Sequence, residues 1–129
     1  MTHDKDFLLL LERARAVQGA RALSETAEAG GVGAALLTDT GKVYTGVCID
    51  TACSMGFCAE HAAIAAMVTA GENRIVQMAA VGGAGEPVPP CGRCREFIAQ
   101  MHEDNRLCQV LLPGYEVRTV GELLPFSWN

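Results

Sequence analysis

Apolar and charged positions alternate along residues 4–20, with Phe7, Leu8, Leu11 and Val17 on the apolar side and Arg15 among the charged ones. That rhythm predicts an amphipathic helix laid over a sheet. Residues 21–31 are mixed and polar and end in Gly30-Gly31, which predicts a loop, or a short helix and then a loop. Residues 32–38 are a compact apolar run between turn residues, too short for a typical helix, and read as a buried strand. Asp39-Thr40-Gly41 signals a turn, and residues 43–49 are rich in β-formers, so the two runs read as a hairpin. Residues 50–56, which carry Cys53, read as an irregular loop.

The period then changes. Residues 60–70 are Ala-rich and stop at Gly71, and no charge interrupts them from Ala62 to Ala70. A helix apolar on every face is buried on every face, which predicts a central helix that also meets other subunits. Further on, the pattern predicts a strand over 75–81, a Gly/Pro loop over 82–90 and a helix over 91–102. A strand over 107–112, a short strand over 116–119 and a last helical turn over 121–124 follow. An aromatic tail closes the chain at Phe126 and Trp128. Two strands followed by helix–strand units imply an α/β fold, a three-layer α/β/α sandwich around a mixed five-stranded sheet. The 129 residues fit one domain, 1–129, with no repeat or linker.

Charge and cysteine usage narrow the function. The net charge is −5, and Arg93, Arg95, Arg106 and Arg118 are scattered among acids. A protein that grips phosphate backbones needs a basic stripe, so a small-molecule substrate is expected and nucleic acid is not. Only 19% of residues are charged, which points to apolar surface covered by other subunits. The apolar run at residues 7–11 is too short and wrongly flanked for a signal peptide. The longest uncharged stretch, residues 75–85, is far short of a membrane span. A cytoplasmic location follows, where thiols stay reduced and paired cysteines mean metal or redox chemistry.

Three of the six cysteines stand in two clusters, Phe57-Cys58-Ala59-Glu60-His61 and Pro90-Cys91-Gly92-Arg93-Cys94-Arg95, each at a predicted helix start. Cys91 and Cys94 are spaced to bind one ion from a helix's first turn, and Cys58 would come from a second helix start. The partial positive charge of a helix N-terminus favours thiolates there. Three protein ligands and one open position describe a catalytic zinc site, whereas four close a structural one. Three thiolates and Zn²⁺ carry a net negative charge, which Arg93 and His61, each next to a ligand, can offset. Glu60 stands too close to Cys58 to be a fourth ligand and is better placed as a proton carrier. Plainer readings remain beside this one. Cys91-x-x-Cys94 could be a redox pair, and Cys108 could complete a structural four-thiol site. Cys48 and Cys53 could be small apolar side chains, Glu60 an ordinary helix-start acid, His61 a packed helix residue, and His3 and His102 surface residues.

Cys58-Ala59-Glu60 followed by Pro90-Cys91-x-x-Cys94 resembles the signature of the cytidine deaminases, in their three-cysteine, tetrameric form. Val32-Gly33-Ala34-Ala35-Leu36-Leu37 with Gly46-Val47 is similar to that family's first hairpin, and Glu122-Leu123-Leu124-Pro125 to its C-terminal end. The resemblance implies hydrolytic deamination of cytidine, deoxycytidine or a close analogue, with one Zn²⁺ per chain on Cys58, Cys91 and Cys94. It also implies zinc-bound hydroxide attacking ring C4, Glu60 as proton shuttle and the Ala59 N–H on the pyrimidine carbonyl. The assembly it implies is a homotetramer in which Trp128 reaches a neighbouring site.

Departures fall on the sugar end. The family's ribose-reading Asn-x-Glu falls on Cys48-Ile49-Asp50; Asp50 can still accept a hydroxyl proton with a shorter reach, but Cys48 cannot replace an amide. The loop from there to Cys58 is one residue short. Gly30 stands where an aromatic is expected, and His61 where an arginine usually follows the glutamate. The second cluster is similar to that of blasticidin-S deaminase, with an arginine between the cysteines, which implies that Arg93 takes over charge compensation. Deamination of that antibiotic or of a modified nucleoside is therefore an alternative, and a structural zinc or redox module is the non-enzyme alternative.

Overall fold

The computed structural model describes residues 5–129; His3 and the first position of the expected 4–20 helix lie outside them. Helix α1, Lys5–Val17, buries Phe7, Leu10, Leu11 and Ala14, the i, i+3, i+4, i+7 stripe of an amphipathic helix. It ends before residue 20 because the Gly19 N–H is taken by Gly30 O at 2.8 Å.

The strands are β1 (Arg21–Ala22), β2 (Ala27–Thr38), β3 (Val43–Thr51), β4 (Ile75–Val81), β5 (Gln109–Leu111) and β6 (Val117–Thr119). The sheet thus has six strands rather than the expected five, because the two-residue β1, too short to show alternation, pairs with Ala29 and Glu28 of β2. Strand β2 starts at Ala27, not at 32: Gly30-Gly31 is no loop but part of an irregularity between Ala29 and Gly33. Strand β3 runs on to Thr51, because Asp50 and Thr51 pair with Glu28 and Ala27. Asp50 is therefore a strand residue, and only Ala52–Ser54 of the expected loop forms a tight helical turn.

Antiparallel β3 and β4 flank β2, β5 is parallel to β4, and β6 returns antiparallel, so the sheet is mixed as expected. Three helices follow the first hairpin: α2 (Ala59–Thr69), α3 (Gly92–Met101) and the short α4 (Val120–Leu123). Alternation along the strands builds three layers. Ala35, Ala79 and Val81 face α1, while Ala34, Leu36, Met78 and Ala80 pack with Ile64 and Met67 of α2 and Ile98 of α3. Asn105 locks α3 to the sheet: its Oδ1 accepts from Ile75 N–H at 2.8 Å, and its Nδ2 donates to Ile98 O and Asn73 O at 3.0 Å each. Among the described residues no helix is long and apolar enough to cross a membrane.

Helix α2 departs from the all-round burial its composition predicts. It buries Ala59, Glu60, His61, Ala63, Ile64 and Met67, but Ala65, Ala66 and Val68 stand open to solvent within one chain, because the sheet covers one side only.

Close packing sets the seat of α2. At Gly46 of β3, a Cβ would lie 2.4 Å from the Ala63 backbone nitrogen and 2.6 Å from Ala62 Cβ. Gly46→Ala must therefore push α2 off the sheet, and overpacking of this kind costs about 1–3 kcal/mol. The expected result is a lower urea-unfolding midpoint with retained secondary structure; an unchanged midpoint would contradict the tight β3–α2 contact.

Candidate metal centre and substrate cleft

Each cysteine cluster is delivered by a backbone bridge to the C-terminal part of a strand. Ile49 and Phe57 exchange both N–H···O bonds, at 3.0 and 2.9 Å, and the next residue, Cys58, is the N-cap of α2. Val81 bridges to Pro87, Val88 N–H bonds Ala80 O at 2.9 Å, and the chain then reaches Cys91, the N-cap of α3. Arg95 fastens this approach, donating from Nε to Pro90 O at 2.9 Å and from Nη1 to Leu123 O at 3.1 Å.

The result is a tight group of sulfurs. Cys58 Sγ and Cys94 Sγ each lie 3.5 Å from Cys91 Sγ, and all six cysteines are free thiols. Tetrahedral zinc with Zn–S bonds of ~2.3 Å spaces its sulfurs roughly 3.8 Å apart, so a small outward spreading of the sulfurs, not a rearrangement, separates these thiols from a zinc set. His61 joins them: its Nδ1 is 3.3 Å from Cys94 Sγ, and the ligand atoms of Cys58, His61 and Cys94 lie within 4.8 Å of one another. Its ring stacks on Phe97, with centroids 4.3 Å apart and planes 5° from parallel. The sequence carries a signal for this pair that composition does not. His61 follows Cys58 by three residues and Phe97 follows Cys94 by three, the spacing of neighbours on one helix face.

Burial dominates the electrostatics. It pushes the Cys58 and Cys94 thiols above their usual range, and the nearby Glu60 carboxylate adds to this at both. At Cys91 burial is outweighed by the Cys94 and Arg93 backbone N–H groups and by the neighbouring thiols, so this thiol falls below its usual value. Cys91 is the first of the three to ionise. Glu60 is only 4% exposed; burial holds its carboxyl above the usual carboxylate range, against bonds from its own N–H and the Cys94 thiol. Burial, then the Arg93 charge, hold the His61 imidazole below its usual value, hence neutral at pH 7.

Beside the sulfurs lies a cleft of about 680 Å³, within the range of small-molecule sites. Cys58, Cys91, Ala59, Arg93, Cys48 and Asp50 all reach its wall. Ala59 sits in the first turn of α2, where a helical N–H has no intrahelical acceptor. Cys48 Sγ receives the Val32 N–H at 3.2 Å and lies 4.0 Å from Asp50 Oδ2. Asp50 and Thr51 also line an adjoining cavity of about 330 Å³ with Glu25 and Glu28. Gly30 has φ +87°, and a Cβ there would meet Gly19 O at 2.1 Å, so this backbone admits no aromatic at that position. Trp128 does not line the cleft of its own chain. It is 85% exposed, with its backbone N–H on Glu96 Oε1 at 2.9 Å.

Residues 10–109 match the family described as "Cytidine and deoxycytidylate deaminase zinc-binding region". A cytidine deaminase of Sporosarcina psychrophila is 38% identical over 107 residues, covering 76% of this chain and 74% of that protein. One from Mycobacterium tuberculosis is 34% identical over 99 residues, covering 76% and 72%. A crystal structure of a cytidine deaminase from Mycobacterium tuberculosis superposes with a TM-score of 0.82 at 31% identity, over 98% of this chain and 99% of that one.

A metal held by these groups must displace thiol protons. With Cys58 and Cys94 raised by burial, both are protonated at neutral pH without metal, so binding releases protons and apparent zinc affinity rises with pH. The expected slope between pH 6 and 8 is roughly tenfold per pH unit for each proton released, measured by competition with a chromophoric chelator. A pH-independent affinity would rule these thiols out as ligands.

Proposed function

The chain belongs to the cytidine and deoxycytidylate deaminase family of zinc-dependent hydrolases, and on that premise we propose that it hydrolyses cytidine, deoxycytidine or a close analogue to the uridine product and ammonia. The observation that carries the proposal is the opening of a cleft onto three converging thiols with a buried carboxyl beside them. Cys58, Cys91 and Cys94 hold the zinc, one per chain, and Arg93 at the cleft wall offsets their charge. Zinc in such a set supplies Lewis-acid activation of water. Glu60 takes a proton from the attacking water and returns it to the pyrimidine as oxygen adds at C4 and ammonia departs. Its raised carboxyl pKa suits a group that must both accept and donate near neutrality. The Ala59 N–H holds the pyrimidine carbonyl, and Asp50, with Cys48 beside it, accepts a sugar hydroxyl.

The assembly is a homotetramer of single-domain chains in the cytoplasm, in which Trp128 reaches a neighbour's cleft. Two observations support this: the open apolar side of α2, and Phe126 and Trp128 at 94% and 85% exposure. A second reading, a larger cytosine compound such as blasticidin S or a modified nucleoside, draws on the cavity that adjoins the cleft at Asp50 and Thr51.

A panel of cytidine, deoxycytidine, substituted cytidines and blasticidin S, followed by ultraviolet absorbance, separates the two readings. Glu60→Ala is expected to keep its zinc and lose turnover by roughly 10²–10⁴-fold, and Arg93→Ala to lose zinc or turnover. A protein with one zinc per chain that deaminates nothing, or a Glu60→Ala variant of full activity, overturns the proposal.

A further inference from the structure

We infer that His61 is a positioning residue for the zinc site, donating an Nδ1–H hydrogen bond to the Cys94 sulfur while Phe97 fixes the plane of its ring. The inference rests on the zinc reading above. It begins from the 3.3 Å separation of Nδ1 and Sγ. A cysteine that ligates zinc is a thiolate and has no proton to give, so the proton between these two atoms must be carried by the imidazole. His61 therefore carries a proton on Nδ1.

Stacking on Phe97 at 4.3 Å and 5° makes this orientation a fixed one. Phe97 lies on α3, three residues after Cys94, and His61 on α2, three residues after Cys58. The pair thus clamps the two ligand-bearing helices together behind the sulfurs. A hydrogen bond to a thiolate lowers the charge it presents to the metal. Cys94, buried completely, can take little such help from water.

Arg93 does not fill this place. Its backbone N–H faces Cys91, and the residue lines both the cleft and a separate cavity with His61, Glu96 and Phe97, from which its charge reaches the His61 ring. The charge compensation that the resemblance gives to Arg93 is thus divided. Arg93 acts over a distance, and His61 acts by contact on Cys94.

Histidine tautomers are read directly by long-range ¹H–¹⁵N spectroscopy of the zinc-loaded wild-type protein. His102 provides an internal contrast, because its Nδ1 accepts from the Asp104 N–H at 2.9 Å and its proton therefore sits on Nε2. The expected spectrum gives His61 a protonated Nδ1 and His102 the opposite pattern, with the His61 signals identified by their loss in His61→Asn. Zinc affinity by chelator competition is expected to fall roughly 10–100-fold in His61→Leu, which keeps apolar volume against Phe97. His61→Asn, whose amide nitrogen replaces Nδ1, should recover most of it. An Nδ1 of His61 that carries no proton, a metal-bound Nδ1, or a His61→Leu variant that binds zinc as tightly as wild type overturns the inference and leaves the deaminase reading standing. A wild-type protein that binds no zinc overturns both.

Discussion

Two helices begin within bonding distance of each other, and what they bring to that point is three sulfurs 3.5 Å apart in sequence along the chain Cys58, Cys91, Cys94. Thiols are poor neighbours in a buried place once they ionise, since like charges repel and burial penalises each of them. The arrangement is stable as a neutral cluster or as a metal site, and little in between. Everything else in the fold serves to hold the two helix starts at that separation. Strand β2 carries β3 on one edge and β4 on the other, and the bridges at Ile49–Phe57 and Val81–Pro87 turn both strands toward the same end of the sheet. Gly46 lets α2 lie close against β3, and Asn105 ties α3 to β4.

Charge balance is the second constraint. Three thiolates at −3 and zinc at +2 would leave −1, with Cys94 buried and Cys91 open to the cleft. The chain meets this with weak, distributed means. The α3 backbone favours thiolate at Cys91, the two helix N-termini add partial positive charge, Arg93 stands at the cleft wall, and His61 contacts Cys94. Such a site would hold zinc without a cation bonded to the sulfurs, and the buried Glu60 carboxyl has no salt-bridge partner to compete for it. Burial alone raises the Glu60 carboxyl, and the groups that oppose it are its own N–H and the Cys94 thiol, not a cation.

The sequence made some of this legible and hid the rest, for physical reasons. Cys58-Ala59-Glu60 and Pro90-Cys91-x-x-Cys94 are local patterns at helix starts, and local patterns survive folding unchanged. Strands 75–81 and 43–49 were likewise legible because apolar β-formers do not depend on their neighbours for that preference. Long-range pairing was not legible. Gly30-Gly31 carries the chemistry of a turn, yet the pairing of Ala29 and Gly33 on either side of it with β3 keeps it within β2. Asp50 looks like a loop acid until Glu28 is found opposite it. The His61 contact depends on where α3 lies, and only the matched three-residue spacings of Cys58–His61 and Cys94–Phe97 point to it. Trp128, exposed and bonded through its backbone N–H to Glu96, lies away from the cleft of its own chain, a placement no local pattern records.

The central claim is that three thiols and no other protein group hold the metal. X-ray absorption at the zinc edge of the wild-type protein tests it most directly. The expected shell is three sulfurs at about 2.3 Å and one lighter donor near 2.0 Å, the pattern of an open, catalytic site. A shell of two sulfurs with nitrogen from His61, or of four sulfurs, would contradict it.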